Sequence, residues 1–474
     1  MRLKWLTEKR AFFATLILAL VILSIPLCVR LMHYNGLMMG SEPYYHASLA
    51  SEIADYGIPG TDKLSFDQRP YTPNPYHLLL AFASNFIGIE LVSMIVPIVF
   101  GLASLIIFHL LLKKFGFDLR TRFFSLLILV ASPAFIASFT SSSPNCFVIF
   151  ISLLALYLFM DKRDLFKFVS SALFIVTAFF SFFSALMIAL FIFFYGFYER
   201  KRLGFCFMLC FLVLILGFVY HYPHFVTLNV SSKNILTDFI SDLGADVGFG
   251  LFNIILAGIG FVIKWMEKKR LFIFYGLAAL FFLSTSLLGT YSTAYLNFVF
   301  ALFAGFGFVW LLDAKWELST MKNLTIIVIV CGLVFSSLSY LNRASLSMPD
   351  KKFAQSLEWL ASYASPEDVV LSHYSYGFWI EYFTGNKVLM DDFRTPNYES
   401  IRADYNNMLF SRSLENTKEI LSKYNIKYII VTNEMRSGLV WSREEEGLLF
   451  LFRNSETFKN VYNKDYLEIW EYIG

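Results

Sequence analysis

Apolar runs recur along the first three quarters of the chain, near residues 11–29, 90–112, 123–140, 145–160, 168–180, 182–198, 203–222, 247–263, 271–288, 293–312 and 323–341. A helix needs about 20 apolar residues to cross the hydrocarbon core. The pattern therefore predicts about eleven transmembrane helices, with the pair between 168 and 198 at the short limit. Two long polar connections interrupt the series, near 30–89 and 223–246. The first contains Pro70-Tyr71-Thr72-Pro73-Asn74-Pro75-Tyr76-His77, whose prolines forbid regular structure. The apolar stretch that follows, 77–88, is too brief to span and reads as an interfacial or re-entrant helix.

Beyond residue 342 the pattern changes. Short β-type runs appear at Val369-Val370-Leu371, Lys387-Val388-Leu389-Met390 and Tyr428-Ile429-Ile430-Val431, with helical stretches at 351–363, 397–410 and 414–424. Such alternation predicts a small α/β domain, and 442–474 reads as one more helix and a terminal hairpin. The expected fold class is thus a polytopic α-helical membrane protein, with a transmembrane domain over 1–342 and an α/β domain over 343–474.

Composition agrees with this reading. The chain is 57% hydrophobic and only 16% charged, against about 25% charged in soluble domains. Its net charge of +3 gives no reason to expect a nucleic-acid partner. All five cysteines lie in or beside apolar runs, which implies no disulfide framework. The basic start has no small-residue cleavage site, so the first run is expected to be a retained helix.

Charge also sets an orientation. With the N-terminus cytoplasmic, twenty Lys and Arg residues fall in cytoplasmic segments and four in the opposite connections between spans. By the positive-inside rule the two long connections and the α/β domain are extracytoplasmic, as expected of a multi-pass protein of the cell membrane. Six of the seven histidines (His33, His46, His77, His221, His224 and His373) then map to the extracytoplasmic side. So do the acids Glu42, Asp62, Asp67, Asp238, Asp242 and Asp246. A polar external cleft is the functional reading of that gathering.

The stretch that concentrates this chemistry is Gly40-Ser41-Glu42-Pro43-Tyr44-Tyr45-His46. It sets a carboxylate, two tyrosines and a histidine where the first span surfaces. A carboxylate there also suits the positive end of a helix dipole, the purely structural alternative. This stretch resembles the G-x-D-P-x-Y-H motif of oligosaccharyltransferase catalytic subunits of the archaeal and eukaryotic type. The run Ser372-His373-Tyr374-Ser375-Tyr376-Gly377-Phe378-Trp379-Ile380, continuing to Leu389, resembles that family's W-W-D-Y-G segment. The family belongs to the GT-C class of membrane glycosyltransferases, which use polyprenyl-phosphate-linked sugars.

The resemblance implies transfer of a sugar or glycan from such a donor to a protein or glycan acceptor outside the bilayer. It implies Glu42 as the first-loop acid that binds a divalent metal, Mg²⁺ or Mn²⁺, with Asp242 in Phe239-Ile240-Ser241-Asp242 as the late-loop acid. Catalytic and metal-binding roles fall on these two. Substrate contacts fall on Tyr44, Tyr45, His46, His373, Tyr376 and Gly377. A metal held by carboxylates would neutralise the departing phosphate; without it, Glu42 would act as a general base.

The chain also departs from the family. Ser141-Ser142-Ser143-Pro144-Asn145-Cys146 has no carboxylate where the second acidic pair belongs, and His373, Tyr374 and Ser375 replace both tryptophans and the aspartate. These departures keep open a catalytically weakened paralogue that binds lipid-linked glycan. A lipid or solute transporter ranks last, because its spans would carry charges and these are nearly free of them.

Overall fold

A computed structural model describes residues 8–33, 37–198, 202–222, 239–245, 247–266, 290–395, 397–464 and 467–474. The expected run at 271–288 and most of the connection at 223–246 lie outside these residues. The chain divides into two compact units. One takes Met1–Met32, Asn74–Tyr76 and Leu91–Leu346; the other takes His33–Pro73, His77–Glu90 and Ser347–Gly474.

The first unit is helical. Among the described residues, the helices Glu8–His33, Ile89–Lys114, Leu203–His221, Thr290–Asp313 and Ser319–Ser345 are long and apolar enough to cross a membrane. The expected span at 123–140 is two helices, Leu119–Val130 and Pro133–Thr140, bent by 62°. Pro133 lacks the N–H and the room that a continuous helix needs there. Counting the bent pair gives six candidates, and the expected count of about eleven is not met. Pro144–Phe159, Asp164–Thr177, Phe182–Tyr198 and Leu251–Met266 have only 14 to 17 residues. At 1.5 Å per residue they fall short of a core about 30 Å thick.

Small residues let these helices approach. A Cβ on Gly260 or Gly307 would run into the backbone of the opposite helix, so Leu251–Met266 and Thr290–Asp313 touch main chain to main chain. Close packing of this kind holds helices together where lipid competes for apolar side chains. Glu8 accepts from Arg122 and Lys113 at 2.9 Å, tying the first helix to the next two.

The second unit is built on a five-stranded sheet of order β2-β1-β3-β5-β4. β1 (Val369–Leu371), β2 (Lys387–Val388) and β3 (Ile426–Thr432) are parallel; β4 (Phe458–Lys464) and β5 (Leu467–Tyr472) form an antiparallel hairpin on β3. β1 and β3 are buried almost throughout, as their unbroken apolar runs demand. The helices Lys351–Tyr363, Tyr398–Phe410 and Leu414–Lys423 lie where the periodicity puts them, and a short helix, Gly447–Leu451, precedes the hairpin. The first long connection packs in this unit. Its helix Glu42–Tyr56 lies on Gly377–Thr384, with Tyr44 against Tyr382 and Phe383, and Tyr45 against Phe378.

Candidate active site

The Gly40–His46 stretch opens a helix. Gly40 takes φ +75°, which glycine adopts without the penalty a side chain would carry, and Pro43 in the first turn is pre-set for helix entry. The turn is held from both sides by the tail. Gly40 N–H donates to Met348 O and Trp379 Nε1–H donates to Gly40 O, each at 2.9 Å.

Glu42 emerges with its side chain 39% exposed. Its Oε1 lies 3.2 Å from His46 Nε2, one helical turn on. His46 is buried, and its Nδ1 lies 2.7 Å from His77 Nε2; His77 Nδ1 in turn lies 2.8 Å from the Tyr71 hydroxyl. Burial pushes His77 well below the usual histidine range, with His46 adding to the effect. His77 is therefore a neutral imidazole.

Beside Glu42, the Ser41 hydroxyl donates to Asp392 Oδ2 at 3.2 Å. Asp392 is exposed at its edge but crowded by protein. That crowding, and then the charges of Asp391 and Glu42, push its carboxyl up to about 6 against the opposing Ser41 bond. Two carboxylates near enough to feel each other at an accessible surface suit a cation. Mg²⁺ in particular binds through one or two carboxylates together with substrate phosphate and water. Among the described residues no group of three or more His, Cys, Asp or Glu is arranged to hold a metal. An ion at these two carboxylates would take its remaining ligands from substrate and water.

A buried ionic cluster backs this surface. Arg69 grips Asp391 with both terminal nitrogens, at 3.0 and 3.1 Å, and Asp62 at 2.7 Å. Its guanidinium lies 5.4 Å from the Tyr45 ring and 5.3 Å from that of Phe393. Glu381 is 4% exposed, and its Oε1 is buried without a hydrogen-bond partner. Burial first, then the Asp391 and Asp62 charges, hold it well above the usual carboxylate range. It is protonated.

The remaining expected site residues are placed as follows. Tyr44 is buried in the helix contact, its hydroxyl donating to Met38 O at 3.3 Å. His373 Nδ1 accepts from Ser375 and caps the turn Tyr374–Tyr376, which leaves the ring proton on Nε2. Tyr376 is buried and donates to Glu434 Oε2 at 2.5 Å. Gly377 lies so close to Asp391 that a side chain would not fit. Asp242 belongs to the helical unit, where its Oδ2 accepts from Leu251 N–H at 2.7 Å and from the Ser336 hydroxyl at 2.8 Å. Asp238, Asp246 and His224 lie outside the described residues.

No family model matches the chain, and no curated protein matches it by sequence. Solved structures do match by shape. The Archaeoglobus fulgidus oligosaccharyltransferase AglB, in complex with an inhibitory peptide and a dolichol-phosphate, superposes with a TM-score of 0.65 at 13% identity, covering 96% of this chain and 73% of that one. The oligosaccharyltransferase of the same organism in complex with Zn and sulfate gives 0.60 at 14%, covering 94% and 71%. ArnT from Cupriavidus metallidurans, bound to undecaprenyl phosphate, gives 0.55 at 10%, covering 97% of each chain.

The chain shares the fold of these solved structures. Among the described residues, the long apolar helices have the length and composition of membrane-crossing segments. Within that fold, sequence reasoning missed Asp392, Arg69, Asp391 and Glu381. The Asp391-Asp392 pair directly after the β2 run was the available signal. The union of His46 with His77 carries none, since 31 residues separate them.

Proposed function

We propose that this protein transfers a sugar or glycan from a polyprenyl-phosphate-linked donor to a protein or glycan acceptor on the extracytoplasmic side of a cell membrane. The observation that carries the reading is Glu42, a half-exposed carboxylate fixed by His46 on a GT-C fold whose solved relatives hold dolichol-phosphate or undecaprenyl phosphate. The N-terminus is cytoplasmic, and the apolar runs among the described residues, short ones included, enter the bilayer.

The leaving phosphate carries the charge that must be neutralised. A bound Mg²⁺ or Mn²⁺ would supply Lewis-acid stabilisation of it. Glu42 would hold the ion with Asp392; the catalytic and metal-binding role that the family resemblance gives Asp242 is assigned separately, within the helical unit, to a carboxylate whose Oδ1 lies outside both contacts described above. Without the ion, Glu42 would instead accept the acceptor's proton as general base. His373 offers its Nε2–H to the substrate. Tyr44, Tyr45, His46, Tyr376 and Gly377 shape the binding surface from behind.

A second reading is a weakened paralogue that binds lipid-linked glycan. It is favoured by the absence of a carboxylate in Ser141–Cys146 and by the replacements at His373, Tyr374 and Ser375. The test is transfer or hydrolysis of a polyprenyl-phosphate sugar by the purified protein in nanodiscs, with and without divalent ions. Turnover that needs the ion and is lost in Glu42→Ala supports the enzyme. Tight donor binding without turnover supports the paralogue, and turnover untouched by Glu42→Ala removes the role given to that residue.

A further inference from the structure

Behind Glu42 runs a string of side chains that the transfer reaction does not by itself require: Glu42 Oε1 to His46 Nε2 at 3.2 Å, His46 Nδ1 to His77 Nε2 at 2.7 Å, and His77 Nδ1 to Tyr71 Oη at 2.8 Å. Both imidazoles are buried. Each ring uses both nitrogens, so the position of one proton fixes the next. A neutral imidazole has one N–H and one acceptor nitrogen. If Tyr71 donates to His77 Nδ1, the His77 proton sits on Nε2 and is donated to His46 Nδ1. His46 must then carry its own proton on Nε2, where Glu42 accepts it. With both rings neutral, the opposite polarity turns a bare His46 Nε2 toward the Glu42 carboxylate and forfeits that bond, so both ends of the string favour the first arrangement.

We propose that Tyr71 and His77 are positioning residues that set the tautomer of His46. His46 Nε2–H then holds Glu42 in one rotamer through Oε1 and leaves Oε2 to the reacting groups. The functional half of this rests on Glu42 being the working carboxylate; the tautomer chain does not. Indirect partners that orient a reacting or ligating group commonly change activity by about 10–100-fold when removed.

The test is ¹⁵N NMR of the full-length, ¹⁵N-histidine-labelled protein in nanodiscs, with His46→Gln and His77→Gln assigning the signals. The expected wild-type spectrum has both rings protonated on Nε2 alone. In Tyr71→Phe the donor to His77 is gone, so both His77 and His46 become tautomer mixtures. Turnover falls roughly 10–100-fold, while KM for the lipid donor stays unchanged. A wild-type His46 protonated on Nδ1 overturns the proposal, and so does a His46 tautomer unmoved by Tyr71→Phe. Should that variant fail to fold, the wild-type spectrum alone decides. Expected tautomers together with undiminished turnover in Glu42→Gln support the chain and overturn the catalytic reading of Glu42.

Discussion

A Cβ placed on Gly377 would lie 2.8 Å from both Cα and Cβ of Asp391, and 3.0 Å from Met390 O. The contact is with main chain, which has no rotamer to yield. Asp391 is also one jaw of the Arg69 clamp. Gly377→Ala is therefore expected to push the 390–392 segment away and to destabilise by about 1–3 kcal/mol, the usual cost of overpacking. Thermal unfolding in detergent measures it, and an unchanged midpoint would contradict the close approach.

Arg69 faces two carboxylates and lies against two aromatic rings, nearly all of it buried. Arg69→Ala leaves uncompensated charge in the interior and is expected to cost about 3–5 kcal/mol. Arg69→Lys restores the charge but not the planar fork that grips both Asp391 oxygens. Its loss should fall between wild type and alanine. A denaturant series ordered Arg, Lys, Ala checks this, and a lysine variant equal to wild type would reduce the clamp to simple charge balance.

Glu381 gives a pH dependence with a definite sign. Its folded-state pKa is raised above the ordinary value of 4.5, so the folded state favours the proton. The stability linked to it is fully present below the ordinary value and is lost progressively as pH rises. Glu381→Gln, a neutral isostere, should match wild type near pH 4 and exceed it near pH 8. Unfolding midpoints of both proteins at the two pH values are the measurement; parallel curves would mean that Glu381 is ionised in the fold.

Asp242 has a structural and a chemical role that one pair of substitutions separates. Asparagine keeps an acceptor oxygen for the Leu251 N–H, so Asp242→Asn should keep that contact and the fold's stability while removing the charge and depressing turnover. Asp242→Ala should lower both, with about 1–3 kcal/mol lost as the contact goes. If Asp242→Asn turns over like wild type, the residue serves that contact alone and the metal is held elsewhere.

The sequence was most informative where periodicity governs. β1 and β3 are continuous apolar runs, and the helices Lys351–Tyr363 and Leu414–Lys423 show plain amphipathic spacing, so their places could be read directly. Span length was less legible. Leu251–Met266 sits in an apolar run like the others, but where a helix starts and stops depends on caps such as Asp242, which hydropathy does not register. Of the candidate site, Glu42 and His46 could be picked out in advance from the Gly40–His46 stretch. Their neighbours Asp392, His77 and Arg69 arrive from distant sequence positions through tertiary packing, and Glu381 looks like any surface acid until its burial is known.

The Gly40 turn has a consequence in time. Its peptide is held at one side by Met348 O and at the other by the Trp379 indole, 339 residues further along. At about 5–20 residues per second, roughly 20–70 s of synthesis separate the emergence of Glu42 from that of the residue that fixes its turn. Throughout that interval the helices can enter the bilayer while the carboxylate has no settled position. A chain arrested before Trp379 would lack one of the two contacts that hold the Gly40 turn, so synthesis as far as that residue is the last step in fixing it.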